Sequence, residues 1–261
     1  MIAIAGFDHY ADGPAAAADL SRRLAAASQS LARAAAGISD AQAREPSLLP
    51  GWTRGHVLTH IARNADSLRN LLIWARTGIE TPQYASAGER DAGIAAGAGR
   101  PAAELRADVE ESAAAFAAEA ASMPAPAWDA QVHGLRGPGH PAWYAVWRRL
   151  TEVEFHHVDL GTGYRPADWP GTFTGQGLTR LAVEFQKETV PRLTMRAAGS
   201  GTRYEIGPAA PATAGPADGQ TTSIPVVTGP TADLLAWLVG RSDGAGLSLD
   251  PPGLLPELPA W

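Results

Sequence analysis

Leu20, Leu24, Leu31 and Ile38 recur at helical intervals through an alanine-rich background, so one apolar stripe predicts a first helix from Asp19 onward. The run LLPGWT, Leu48 to Thr53, interrupts that texture, and Thr53 is placed to cap a second helix running to about Arg76, where Gly78 ends it. A loose stretch rich in glycine and alanine follows. Pro101 suits the first position of a third helix whose Leu105, Val109, Ser112 and Phe116 share a face, and Pro124 and Pro126 close it. A fourth helix is expected from near Pro141 to before Gly161, with Trp143, Trp147, Leu150, Val153 and His157 near one side. Four such helices suggest a bundle.

The pattern changes after a linker at 164–172, marked by Pro166 and Pro170. A helix over 175–189 leads into short alternating runs at 192–196 and 202–206 that read as strands. Residues 208–220, rich in proline, alanine and glycine, read as a loop before a further strand at 223–228. Thr231 then caps a helix carrying Leu234, Leu235, Trp237 and Leu238, which Gly240 and Arg241 terminate. The expected fold class is therefore α plus α+β: a four-helix bundle over 1–165 and a small α+β domain over 171–261. A chain of 261 residues with 45% hydrophobic content is large enough for two modest cores.

Composition narrows the chemistry. The formal charge of -6 offers no general attraction to nucleic acid or anionic lipid. No apolar run approaches the roughly 20 residues of a membrane span, and residues 1–7 lack the basic lead-in of a signal peptide, so a cytoplasmic protein is expected. The absence of cysteine excludes disulfides, thiolate metal clusters and a cysteine nucleophile. Any thiol chemistry must use an external thiol.

On the second helix, His60 shares its face with Val57, Asn64, Leu68 and Leu71 and so points toward the bundle core. On the fourth, Glu152 and His156 are an i, i+4 pair, and Arg149 and Asp159 extend the same stripe, too many charges for an ordinary core face. Buried imidazole and carboxylate groups need a partner, and a divalent cation satisfies both. Two histidines and one glutamate suit zinc, and three protein ligands leave one position open, as catalytic sites do. A solvated Glu–His pair and a structurally satisfied core histidine are the plainer alternatives. His56, four residues before His60, is a rival ligand. His157 packs or lies at the surface, and His9, His133 and His140 lie in loop-like contexts.

Read as strings, Pro50 to Asp66 (PGWTRGHVLTHIARNAD) and Arg149 to Leu160 (RLTEVEFHHVDL) resemble the mycothiol-dependent maleylpyruvate isomerase family, within the DinB-like bundle superfamily. The resemblance continues more weakly in Ala236 to Arg241 (AWLVGR) and the closing Leu255 to Trp261 (LPELPAW). It implies a zinc ion on His60, Glu152 and His156, mycothiol as cofactor, an actinobacterial source, and a sterol-carrier-like second domain with an essential arginine matched to Arg241. A metal-bound thiolate would then add to an activated cis double bond, and rotation and elimination would give the trans product. Arg241, or with less support Arg63, would hold a substrate carboxylate. Arg241 otherwise balances carbonyls at a helix end.

The same apparatus serves a mycothiol S-transferase acting on another electrophile, and the second domain alone would suit a non-enzymatic carrier of apolar ligands. Substrate choice is expected in the loops at 84–99 and 127–139. Trp74, Trp143 and Trp147 are either core residues or the walls of a bulky-substrate pocket.

Overall fold

The computed structural model describes residues 4–135, 138–187, 189–208 and 224–259. The chain divides into two compact units, one of His9–Tyr164 and one of residues from Arg165 on together with 4–8.

The first unit contains α1 (Gly13–Ala36), α2 (Asp40–Arg44), α3 (Arg54–Thr77), α4 (Ala87–Gly97), α5 (Ala102–Ala121) and α6 (Trp143–Asp159), with a short antiparallel pair, β1 (Gln131–Val132) and β2 (His140–Pro141), ahead of α6. Four long helices form the bundle: α3 packs on α5 and α6, and α1 packs on the same two from the other side. Leu20, Leu31, Leu58, Ile61, Leu68, Leu71 and Phe155 fill it, all fully buried.

Local signals explain the helix ends. The Thr53 side chain accepts the His56 N–H, and the His56 ring accepts the Thr53 N–H at 3.2 Å, a capping box with histidine in the place usually held by glutamate or glutamine. Gly78 closes α3 in the left-handed conformation, φ 72°, where a side chain would be strained. Gly55 lets the start of α3 approach the Ala98 carbonyl, and a Cβ there would collide with it.

The structure departs from the pattern-based expectation in identifiable places. α1 begins six residues before Asp19, because Asp12 caps it and Pro14 sits in its first turn, ahead of the first large apolar residue. Pro101 caps α5 instead of occupying its first helical position. The stretch read as loose contains α4, whose Ser86 accepts the Glu89 N–H at 3.1 Å; alanine and glycine there hide the period that a helix otherwise shows. α2 and the β1–β2 pair are likewise too short to show a period.

In the second unit, α7 (Gly171–Glu184) and α8 (Thr231–Leu238) pack on each other and against a four-stranded sheet of β3 (Leu193–Ala197), β4 (Arg203–Ile206), β5 (Val226–Gly229) and β6 (Ser248–Asp250). The sheet order is β4-β3-β5-β6, with β3 and β5 parallel and the outer pairs antiparallel. Phe173, Leu178, Leu193, Met195, Ile206, Val227, Leu234 and Leu235 form its core. α7 starts and ends earlier than its expected span, Pro230 rather than Thr231 caps α8, and β6 is additional to the expected strands. Most of the loop expected at 208–220 lies outside the described residues. Among the described residues no helix is long and apolar enough to cross a membrane.

Candidate metal centre

The buried face of α3 carries Val57, His60, Asn64, Leu68 and Leu71, so the helical period that buries the leucines also buries His60, which is 3% exposed. α6 meets that face with Arg149, Glu152, His156 and Asp159. Arg149 is fully buried and locks the two helices together: one guanidinium nitrogen donates to the Ile61 carbonyl at 2.8 Å and to Asn64 Oδ1 at 3.0 Å. Burial pushes its pKa down to about 10, against the pull of Glu152, so it remains charged at neutral pH.

One turn along α6, Glu152 Oε2 lies 3.0 Å from His60 Nε2 and 3.1 Å from His156 Nε2. The two imidazole rings stand nearly perpendicular with centroids 4.5 Å apart. The three candidate ligand atoms all fall within 4.8 Å of one another. His156 Nδ1 is 2.8 Å from Asp159 Oδ2, which fixes the ring so that Nε2 faces Glu152. Trp52 and His60 meet edge to face, ring centroids 5.6 Å apart. Side-chain exposure is 4% for His60, 9% for His156 and 21% for Glu152, so solvent reaches the cluster on the glutamate side.

The electrostatics are those of a cluster short of positive charge. Burial alone would raise the Glu152 pKa, but hydrogen bonds from His156 and His60 outweigh it and hold the carboxyl well below its ordinary range. Burial works against a charged His156, yet Asp159 and Glu152 outweigh it and raise the pKa. Burial and the neighbouring His156 lower that of His60. His156 thus faces a carboxylate on each side, Glu152 and Asp159, and His60 faces Glu152. A divalent cation bound by one atom from each of His60, Glu152 and His156 satisfies all three groups, so the donor set fits a metal.

Two side chains outside the expected set border this cluster. Arg90, on α4, brings a guanidinium nitrogen to 3.5 Å from His60 Nδ1, while its other terminal nitrogen pairs with exposed Asp91 at 2.7 Å. Tyr84, whose hydroxyl donates to the Arg63 carbonyl at 3.3 Å, lies within the fields of Arg90, Glu152 and Arg149, and burial raises its pKa. Both belong to the segment read as loose, where the Ser86–Glu89 capping spacing was the one available signal.

The other candidates are placed elsewhere. His56 is occupied by the α3 cap, its Nδ1 2.7 Å from Thr53 Oγ1. His157 stacks on Tyr164 with centroids 3.8 Å apart. Arg63 is committed to Asp66 and Asp108. Trp143 and Trp147 are buried in the bundle. Arg241, in the second unit, donates to the Val239 carbonyl at 2.7 Å at the end of α8, the carbonyl-balancing geometry weighed from sequence. A cavity of about 590 Å³ opens between α1 and α5, lined largely by alanines and other apolar side chains, with Arg149 also in its wall.

Residues 24–161 match the family model described as mycothiol maleylpyruvate isomerase N-terminal domain. Two solved structures are similar over 94% of this chain and 97% of theirs, each with 30% identity and a TM-score of 0.82. They are the crystal structure of the mycothiol-dependent maleylpyruvate isomerase and that of a histidine-to-alanine mutant of the mycothiol-dependent maleylpyruvate isomerase. Comparison with curated proteins gives no match.

Proposed function

The chain belongs to the mycothiol maleylpyruvate isomerase family, and from that premise we propose that it is a cytoplasmic, thiol-dependent isomerase acting at a zinc ion held by His60, Glu152 and His156. The observation that carries this reading is the convergence of two imidazole nitrogens on one carboxylate oxygen at 3.0 and 3.1 Å, with Asp159 behind one of the rings. When bound, the metal with its open position supplies a mycothiol thiolate at neutral pH, a nucleophile able to add to an activated cis double bond and leave again after rotation.

The chain's own residues prepare that chemistry. Asp159 holds His156 in the tautomer that presents an Nε2 lone pair, and Arg149 places a fixed positive charge beside Glu152. Trp52 and the buried faces of both histidines keep water from one side of the cluster, while the exposed edge of Glu152 marks the approach. The lack of cysteine supports an external thiol. Arg241 enters the proposal through the family resemblance, as the group that holds a substrate carboxylate and stabilises enolate charge.

Metal analysis of purified protein tests the reading: about one equivalent of zinc is expected, lost in His60→Ala. Zinc-loaded protein given mycothiol and maleylpyruvate should yield fumarylpyruvate. Wild-type protein that purifies without divalent metal and ignores added zinc would overturn the proposal. Adduct formation on another electrophile without isomerisation would mark an S-transferase instead.

A further inference from the structure

The two candidate ligand histidines are completed differently. A histidine that binds a metal through Nε2 carries its proton on Nδ1, and that N–H ordinarily donates to a carboxylate or carbonyl, which orients the ring. His156 has such an acceptor in Asp159 at 2.8 Å. Among the described residues, His60 Nδ1 meets instead the Arg90 guanidinium, at 3.5 Å, a group that has donors only.

Without metal the contact fits the tautomer in which His60 donates from Nε2 to Glu152, because an Nδ1 lone pair can then accept the Arg90 N–H. Once the Nε2 lone pair is given to a metal, the proton sits on Nδ1 and two donors oppose each other. An acceptor with several lone pairs resolves this by taking both N–H groups. Arg90 is also reachable, its side chain 32% exposed beside a 4% exposed His60.

We propose that Arg90 and His60 Nδ1 together seat a carboxylate of the substrate beside the metal, and that metal binding creates the seat by moving the His60 proton. The proposal rests on the metal reading above and adds to it a substrate-binding residue on α4. It also explains why a ligand histidine lies against a cation: the acceptor that the chain provides for His156 is, for His60, provided by the ligand. Arg90's bond to Asp91 is solvent-exposed and leaves the nitrogen facing His60 to the incoming anion.

Isothermal titration of maleate into zinc-loaded wild-type protein, metal-free wild-type protein, and zinc-loaded Arg90→Gln and Arg90→Lys tests this, with zinc content measured in each. Expected results are unchanged zinc in both variants, maleate binding weakened about 10- to 100-fold by Arg90→Gln, partial recovery in Arg90→Lys, and weak binding to metal-free protein. With substrate, Arg90→Gln should raise KM more than it lowers kcat. Equal maleate affinity in zinc-loaded wild type and Arg90→Gln would overturn the seat while leaving the metal reading intact. Equal affinity with and without zinc would overturn the proton-shift argument. Failure of the wild type to take up zinc would overturn both readings.

Discussion

Asp159 lies outside the ligand set, yet its 2.8 Å bond to His156 Nδ1 decides which ring nitrogen faces Glu152. Asp159→Asn is expected to weaken zinc binding about 10- to 100-fold in a competition titration while His60→Ala abolishes it. Glu152 and His156 were legible in the sequence by spacing, and His60 by the resemblance of the motif around it. His60 shares a 3.6-residue period with buried leucines, Glu152 and His156 are one turn apart, and four charged groups on one helical stripe needed a reason to be buried. His56 and His60 were indistinguishable by that test, since both lie on the same side of α3. The tertiary structure separates them because the chain reverses just before α3, and His56 is spent closing the cap at Thr53. Arg90 was not legible: its relevance depends on where α4 lies against α3, and nothing in residues 84–99 encodes that distance.

The elements hold the site through close approaches that spacing patterns do not record. At Gly55 a Cβ would meet the Ala98 carbonyl, so Gly55→Ala is expected to lower stability by about 1–3 kcal/mol in denaturant unfolding. No loss of stability would show that the two segments separate without cost. At the first helix, the Tyr10 hydroxyl donates to Asp19 at 2.6 Å. Burial there would raise the Asp19 pKa, but Tyr10, Arg23 and Arg22 outweigh it and lower the value. A carboxyl whose folded pKa lies below its unfolded one stabilises above the unfolded value, and that contribution is lost as pH falls through the folded value. Tyr10→Phe should therefore reduce thermal stability at neutral pH, with the difference from wild type shrinking as pH falls through the carboxylate range. A pH-independent difference would assign Tyr10 to packing alone. Long helices with leucine stripes were readable because burial repeats along them. α4 escaped because its alanines and glycines carry almost no such contrast, and β6 because three residues contain no period.

At the scale of the whole molecule, the second unit is expected to contribute to catalysis through one arginine. Its Arg241 lies at a helix end in a unit separate from the three ligand residues. Arg241→Ala is expected to leave zinc content unchanged and to lower kcat/KM about 10- to 100-fold, the range for losing a charged hydrogen bond to substrate. A variant with unaltered kinetics and only a lower Tm would return Arg241 to the carbonyl-balancing role its geometry already shows. By itself the sequence determined the fold class, the face of each long helix and the Glu152/His156 pair, which follow from periodicity and from the cost of burying charge, while the resemblance of its motifs chose His60 over His56 and implied an external thiol. Only the tertiary structure decided that His156 has its acceptor in Asp159 while His60 faces Arg90, because such pairings depend on ångström-scale distances set by packing, and the second of them joins segments distant in sequence.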